Sequence, residues 1–153
     1  METVMRSVKS VYIGAPVERV FPFVRDVSNW GALTPWWVAV TYAPVDIARD
    51  GTGTLSYSGK ALRVVDDSGT GEITEVIENG RVVYRDADPF QGTYTFLFES
   101  VGAGTTVTVV NERESSRAER IPVVGRFARW ILGQHDDQVL RKLKMLMERT
   151  PVT

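Results

Sequence analysis

One stretch near the C-terminal end, residues 121–149, carries a sustained helical pattern and limits what the rest of the chain can form. Its apolar face combines residues spaced three and four apart, namely Ala128, Leu132, His135, Val139, Leu143 and Leu146. Charged residues fall mainly elsewhere, namely Arg129, Asp136, Asp137, Arg141, Lys144 and Glu148. A helix of this length is roughly 40 Å long, and Gly133 is a point where it could divide. The pattern predicts an amphipathic helix that lies on an apolar surface.

Length, charge and cysteine content exclude several classes of function. The 153 residues fit one domain, residues 1–153, with a substantial core. A net charge of -1 gives no reason to expect nucleic acid. The chain has no cysteine and a single histidine, His135, so we expect no metal site and no cofactor. No secretory leader and no apolar run of membrane-spanning length is visible, which predicts a soluble, cytoplasmic protein without stable membrane insertion, as a monomer or homodimer.

The N-terminal part predicts one strand followed by two short helices. Residues 3–13 are rich in β-branched side chains and are predicted as a strand that ends at Gly14. A helix then begins around Pro16, because proline suits the first helical position. Pro22 lies further inside, where a proline costs about 3 kcal/mol, so this helix is either kinked or ends there. A second short helix is predicted from Asp26 to about Leu33.

Turn residues divide the middle of the chain into short runs, as in antiparallel hairpins. Glycine-containing turns separate runs rich in Val, Ile, Tyr, Phe and Thr, which predicts strands near 37–43, 52–65, 70–78, 81–87, 92–100 and 105–114. The Asn79-Gly80 pair predicts a two-residue turn with both residues at positive φ. This register sets Glu78 opposite Arg81, Ile77 opposite Val82, Glu75 opposite Tyr84 and Ile73 opposite Asp86, with the last three pairs on one side of the sheet.

The order of these elements predicts an α+β fold with a cavity. Seven strands spaced about 4.8 Å apart make a sheet roughly 30 Å wide, whereas one helix covers only about 10–12 Å of it. A curved antiparallel sheet wrapped around the C-terminal helix therefore leaves a space, which large side chains or a bound molecule would fill. The two short helices would cap one end of it.

Several motifs resemble one family over nearly the whole chain. The stretch VYIGAPVERVFPFVRDVSNWGALTPW, which contains I-x-A-P-x-x-x-V at residues 13–20 and the following Asp26, is joined by GTGT, GEITEVIENGRVVYR and GAGTTVTV. Together they resemble the START-like or Bet v1-like (SRPBCC) superfamily, in its polyketide cyclase/dehydrase and lipid-transport branch. The resemblance implies a helix-grip fold with a deep apolar pocket, and it leaves the chemistry open because the fold serves carriers, enzymes and receptors.

The candidate site residues are those predicted to face the space between helix and sheet. The ligand-binding candidates are Trp37, Tyr57, Arg63, Tyr84, Tyr94, Phe96, Phe98, Ile131 and His135. The candidates for moving protons or polarising a carbonyl are Arg63, Glu75, Tyr84 and His135.

Each of these assignments has a structural alternative. The aromatic residues could be plain core, and His135 could be a hydrogen-bonded core histidine. Glu75 and Asp86 could lie at a solvent-exposed end of the sheet, because acids facing a core need partners. A bulge at Gly59 would turn Arg63 outward. No relay between His135 and the acids that follow it is expected, because neighbours on a helix diverge by roughly 100°.

Three functional hypotheses remain open. The first is binding or transport of a hydrophobic small molecule, such as a lipid, an isoprenoid or a polyketide, in the cavity. The second is a cofactor-free polyketide aromatase/cyclase that uses the same pocket. The third is a partner-binding module whose pocket is filled by its own side chains. The arginines and lysines of the terminal helix, Arg126, Arg129, Arg141, Lys142, Lys144 and Arg149, form either a solvated face or a contact with anionic lipid headgroups.

Overall fold

The computed structural model describes residues 4–62, 64–87 and 92–149, and it has an α+β architecture. The strands are β1 Val4–Ile13, β2 Val38–Ile47, β3 Gly53–Ala61, β4 Val65–Asp66, β5 Gly69–Ile77, β6 Arg81–Asp86, β7 Thr93–Val101 and β8 Gly104–Glu114. The helices are α1 Val17–Arg25, the first 3₁₀ helix Val27–Leu33, the second 3₁₀ helix Ala118–Arg120, and α2 Pro122–Arg149. This order confirms the predicted helix-grip arrangement, with two short helices after the first strand.

The strands form one open antiparallel sheet. Its order is β1-β8-β7-β6-β5-β3-β2, with the two-residue β4 paired to β3, so β1 and β2 are the edges. The predicted strand over 52–65 is too long, because the chain turns back after Ala61 to make β4. The predicted strand over 37–43 is too short, because β2 continues to Ile47 past a register shift between Pro44 and Asp46.

The predicted register of the hairpin at Asn79-Gly80 is wrong by one residue. Ile77, not Glu78, pairs with Arg81, and the Gly80 N–H donates to the Ile77 carbonyl at 2.9 Å. Of the two turn residues, Asn79 has a positive φ, of 59°, and Gly80 does not. A bulge between Ile73 and Glu75 then adds one residue to β5. Because side chains alternate with a period of two, this extra residue turns Glu75 and Ile77 to the outer face.

The α1 helix runs through its proline. It continues from Pro22 to Arg25, so the alternative in which the helix ends at the proline is wrong. Pro22 faces solvent, while Val20, Phe21 and Val24 on the opposite face are fully buried. The burial of these side chains offsets the missing hydrogen bond of the proline.

The α2 helix is continuous over 28 residues and is not divided at Gly133. The face predicted from the sequence is partly rotated, since the buried residues of its C-terminal half are Asp136, Val139, Leu140, Leu143 and Met147. This half is fastened to the turn after β1, where the Gly14 N–H donates to Glu148 Oε2 at 2.8 Å. The Arg19 guanidinium donates to the Met147 carbonyl at 2.5 Å. The helix approaches the sheet along β1 and β8, which leaves the strands toward β2 uncovered.

Candidate functional site

A cavity of about 660 Å³ lies between α2 and the uncovered part of the sheet. The first 3₁₀ helix contributes Trp30 and Leu33 to one side of it. We place its mouth where the lining residues Val124, Phe127 and Ile131 are exposed, near Glu119 of the second 3₁₀ helix. Aromatic and aliphatic side chains make most of its wall, namely Trp30, Leu33, Trp37, Val38, Tyr42, Tyr57, Tyr84, Tyr94, Phe96, Val124, Phe127, Ala128, Ile131, Leu132 and Val139. The polar groups are fewer, namely Thr34, Asp67, Asp86, Asn111, Arg113, Glu119 and His135. A mostly apolar cavity with a few polar groups is typical of a small-molecule site.

The structure brings most of the candidate residues together on this wall. Trp37, Tyr57, Tyr84, Tyr94, Phe96, Ile131 and His135 all line the cavity. Phe98 does not, because its ring packs edge-on against Phe21 of α1, with centroids 5.3 Å apart. Glu75 does not, because the β5 bulge turns it outward to pair with Arg81 at 3.0 Å. Arg63 lies outside the described residues.

Asp86 and two tyrosines form a polar cluster at one end of the cavity. The Tyr84 hydroxyl donates to Asp86 Oδ2 at 2.9 Å, and the Tyr57 hydroxyl donates to Oδ1 at 3.3 Å. Burial, and next the negative charge of Asp86, raise the pKa of both tyrosines above the usual value of a phenol. The two phenols therefore keep their protons and act as donors at neutral pH.

Two glycines on β5 make room for these rings. A Cβ on Gly71 would lie 2.2 Å from the Tyr84 hydroxyl, and a Cβ on Gly69 would lie 2.6 Å from the Tyr57 hydroxyl. Real side chains do not approach so closely, so only glycine lets the two tyrosines lie flat over the strand. Tyr57 and Tyr84 can then both reach Asp86.

Asp67 and Tyr42 belong to the same end of the cavity, although the sequence did not single them out. Burial and then Asp86 raise the pKa of the Asp67 carboxyl. Burial, followed by the charges of Asp67 and Asp86, raises the pKa of Tyr42 to about 12. Tyr42 alternates with Val38 and Val40 along a predicted strand, so its inward position was available as a signal. Asp67 follows β4, which the sequence did not predict.

A second polar cluster lies where α2 faces β7 and β8. Asp136 is 0% exposed, and its Oδ1 accepts a hydrogen bond from Asn111 Nδ2 at 3.2 Å. The same oxygen lies 3.2 Å from His135 Nδ1, a contact between helix neighbours for which no relay was expected. The physical reason is that the Asp136 side chain points into the protein toward Asn111. Its carboxylate therefore lies beside the edge of the His135 ring. His135 also lies edge-on to Tyr94, with ring centroids 6.2 Å apart.

Trp30 holds the aromatic wall in place. Its indole N–H donates to the Val24 carbonyl at 2.7 Å, which fixes the ring under the first 3₁₀ helix. Its ring lies edge-on to Tyr42 and Tyr84, with centroids 5.6 and 5.4 Å away. Edge-to-face pairs of this kind add about 0.5–1.5 kcal/mol beyond area burial. The wall is thus a packed aromatic surface.

An ion pair stands at the mouth. Arg113 at the end of β8 binds Glu119 through two hydrogen bonds of 3.0 and 2.7 Å, and the Ser116 N–H donates to the same carboxylate at 2.9 Å. The bond from Arg113 is the main cause that lowers the pKa of Glu119 to about 2. The carboxylate stays ionised and ties the second 3₁₀ helix to the sheet.

Metal ligands and membrane-spanning helices are the remaining features that bear on function. Over residues 4–62, 64–87 and 92–149, no group of three or more His, Asp or Glu side chains is placed to hold a metal ion. In the same ranges, none of the helices combines the length and the hydropathy needed to cross a bilayer.

Comparison with known proteins agrees with the fold. The family described as polyketide cyclase/dehydrase and lipid transport matches residues 5–148. None of the curated protein sequences matches the chain. Protein TTHA0849 from Thermus thermophilus is 17% identical, with a TM-score of 0.75 over 95% of this chain and 99% of that chain.

Two aromatase/cyclases have similar structures. The Zhui aromatase/cyclase from Streptomyces sp. R1128 is 14% identical, with a TM-score of 0.71 over 95% of this chain and 94% of that chain. The di-domain ARO/CYC BexL from the BE-7585A biosynthetic pathway is 17% identical, with a TM-score of 0.76; 99% of this chain matches 52% of that one. At these identities the likeness establishes the fold alone.

Proposed function

We propose, from the premise that this chain belongs to the polyketide cyclase/dehydrase and lipid transport family, that it binds a hydrophobic small molecule in the cavity between α2 and the sheet. The ligand class is a lipid, an isoprenoid or a polyketide. The observation that carries the proposal is the cavity of about 660 Å³ with its mainly apolar and aromatic wall. Cavities of a few hundred Å³ suit molecules of this size.

The distribution of polar groups suggests how such a ligand would be oriented. The protonated Tyr57 and Tyr84 and the carboxylates of Asp67 and Asp86 lie at one end. The mouth, beside Phe127 and Ile131, is apolar apart from the Arg113–Glu119 pair. A ligand with one oxygenated end and an apolar body would place the oxygenated end near the tyrosines, because burying a polar group without a partner is costly.

The test is binding of an environment-sensitive hydrophobic dye to the purified protein. We expect about one dye per chain, displaced by a fatty acid or a planar polyketide. Ala128 lines the cavity, so Ala128→Trp should obstruct it and weaken dye binding at least about tenfold. Ala43 is exposed on β2, and Ala43→Trp is the matched control that should leave binding unchanged.

Native mass spectrometry with organic extraction would then identify the class of any copurifying molecule. A folded protein that takes up no dye and carries no extractable hydrophobe would contradict the proposal. Equal dye affinity in the two tryptophan variants would place the dye outside the cavity and would contradict it as well.

A second candidate function is a cofactor-free polyketide aromatase/cyclase. The observation that favours it is the contact between His135 on the cavity wall and the buried Asp136. A carboxylate at Nδ1 orients an imidazole and leaves Nε2 to exchange a proton with a ligand. The test is incubation with a poly-β-ketone thioester analogue. His135→Gln should abolish cyclised product while dye binding persists; product formed at the same rate by both proteins would exclude this role for His135.

A further inference from the structure

The N-terminal half of α2 and the residue before it expose large apolar side chains around the mouth of the cavity. We define the apolar patch as Ile121, Val123, Val124, Phe127, Trp130 and Ile131. Val123 is 75% exposed, Phe127 64% and Trp130 59%, and the last two rings stack with centroids 6.2 Å apart. Contiguous exposed apolar surface of this kind marks a contact with something outside the chain.

The patch is continuous with the cavity. Val124, Phe127 and Ile131 belong both to the patch and to the cavity wall. Val123 and Trp130 belong to the patch but not to the wall. Whatever covers the patch therefore meets the opening through which a ligand enters.

The segment that carries the patch has a net positive charge. Between residues 117 and 135 the sequence contains four arginines, at 117, 120, 126 and 129, and a single acid, Glu119. Arg117, Arg120 and Arg126 are exposed. Glu119 contributes little negative charge outward, because both of its oxygens are held by Arg113. The segment thus combines exposed aromatic and aliphatic side chains with exposed arginines.

This combination decides between the occupants of the patch. In a symmetric dimer the same surface of both copies meets, so the arginine-bearing segments of the two copies would be brought together. An anionic lipid surface satisfies both features, because the aromatic side chains enter the headgroup layer while arginines pair with phosphates. We propose that the apolar patch docks this protein reversibly onto membranes that contain anionic lipids, with the mouth of the cavity against the bilayer. This goes beyond ligand binding and does not depend on the identity of the ligand.

The test is flotation with vesicles of phosphatidylcholine alone and of phosphatidylcholine with about one-third phosphatidylglycerol. The wild-type protein should bind the anionic vesicles and not the neutral ones, and added salt should weaken the binding. Val123→Ser/Trp130→Ser should reduce partitioning at least about tenfold. Arg126→Glu should reduce it at least about fivefold. Val45→Ser and Arg85→Glu, at exposed positions on β2 and β6, are the matched controls and should leave partitioning unchanged.

Dye binding is measured in parallel, because neither Val123, Trp130 nor Arg126 lines the cavity. Variants that lose vesicle binding but keep dye binding would separate this proposal from the proposed function. Absence of binding to anionic vesicles, or equal binding by the double variant, would overturn it. A dimer that the double variant dissociates, without vesicle binding by the wild type, would also overturn it and assign the patch to a second copy.

Discussion

At the scale of single residues, the polar end of the cavity depends on the absence of two side chains. Gly69 and Gly71 of β5 lie beneath Tyr57 and Tyr84, where a Cβ would stand 2.6 and 2.2 Å from the hydroxyl groups. Their small size lets both phenols reach Asp86. A glycine inside a strand usually weakens it, so Gly69 and Gly71 lower the local stability of β5 while they make room for the two tyrosine rings.

A pair of glycine substitutions tests this interpretation. Gly71→Ala should displace the Tyr84 ring and lower the free energy of unfolding by about 1–3 kcal/mol, as for an overpacked core. Gly133→Ala in α2 should have the opposite sign and raise it by about 0.5–1 kcal/mol. The reason is that its new methyl meets only the end of the Lys9 side chain, with Cε at 3.4 Å, and alanine favours the helix. Urea unfolding of the two variants measures both effects; an unchanged free energy of unfolding in Gly71→Ala would show that Tyr84 adapts freely.

Two acids that the sequence analysis misplaced or missed, Asp136 and Asp67, share a physical cause. Asp136 was predicted to face water because it is charged, but it is buried beside Asn111 of β8, 25 positions away. Asp67 joins the cavity because its N–H donates to the Gly59 carbonyl at 3.0 Å and closes the loop. Both placements depend on partners distant in the chain, which periodicity does not report.

At the scale of elements, alternation in the strands was predicted well up to the first irregularity. The inward positions of Tyr57, Tyr84, Tyr94 and Phe96 follow from period-two patterns, and all four side chains line the cavity. Glu75 was misplaced because one inserted residue in β5 reverses the side of everything beyond it. A bulge has no dependable sequence signal, yet it moves every later side chain of the strand to the opposite face of the sheet.

The α2 helix combines two environments in one element. Its C-terminal half carries the fully buried Leu140 and Leu143, and its N-terminal half carries the exposed Phe127 and Trp130. The amphipathic pattern of the sequence averages over these halves and therefore predicts the helix but not the change of surroundings along it. The first half borders a cavity, so its apolar side chains have no sheet to pack against.

Shortening a buried side chain in the C-terminal half of α2 should lower the free energy of unfolding. Leu143 is 0% exposed, so Leu143→Ala should lower the free energy of unfolding by about 2–5 kcal/mol. Arg141 is exposed on the same turn, and Arg141→Ala should change it by less than about 0.5 kcal/mol. Equal changes in urea unfolding would mean that this half of the helix is not packed as described.

At the scale of the whole molecule, the mismatch between sheet width and helix width predicted the cavity. The observed space lies where α2 stops covering the sheet, between the helix and the strands toward β2. Its apolar character was also predictable, because the strand residues facing it are aromatic. The concentration of tyrosines and carboxylates in the cavity was not predictable, because these residues come from β2, β3, β6, β7 and the segment after β4, which meet only in the folded structure.

That concentration makes the stability of the whole fold sensitive to alkaline pH. Burial is the largest cause that raises the pKa of each cavity tyrosine, and a carboxylate is the second: Asp67 for Tyr42, Asp86 for Tyr57 and Tyr84, and Asp136 for Tyr94. In the unfolded chain these phenols titrate near pH 10. Above that pH the unfolded state loses protons that the folded state retains, so the free energy of unfolding falls as pH rises.

The final prediction uses Tyr94 to measure this dependence. Its hydroxyl is buried beside Asp136 without a well-formed hydrogen bond to the described residues, so Tyr94→Phe removes the phenol at little cost in bonding. Each tyrosine that keeps its proton contributes about 1.4 kcal/mol per pH unit above about pH 10, less where water enters the cavity. Urea unfolding at several pH values from about 9 to 12 should therefore give a shallower slope for Tyr94→Phe than for the wild type. The two proteins should differ little near pH 7, where every tyrosine is protonated in both states; identical slopes would show that Tyr94 is open to solvent and that the cavity is wider than the structure shows.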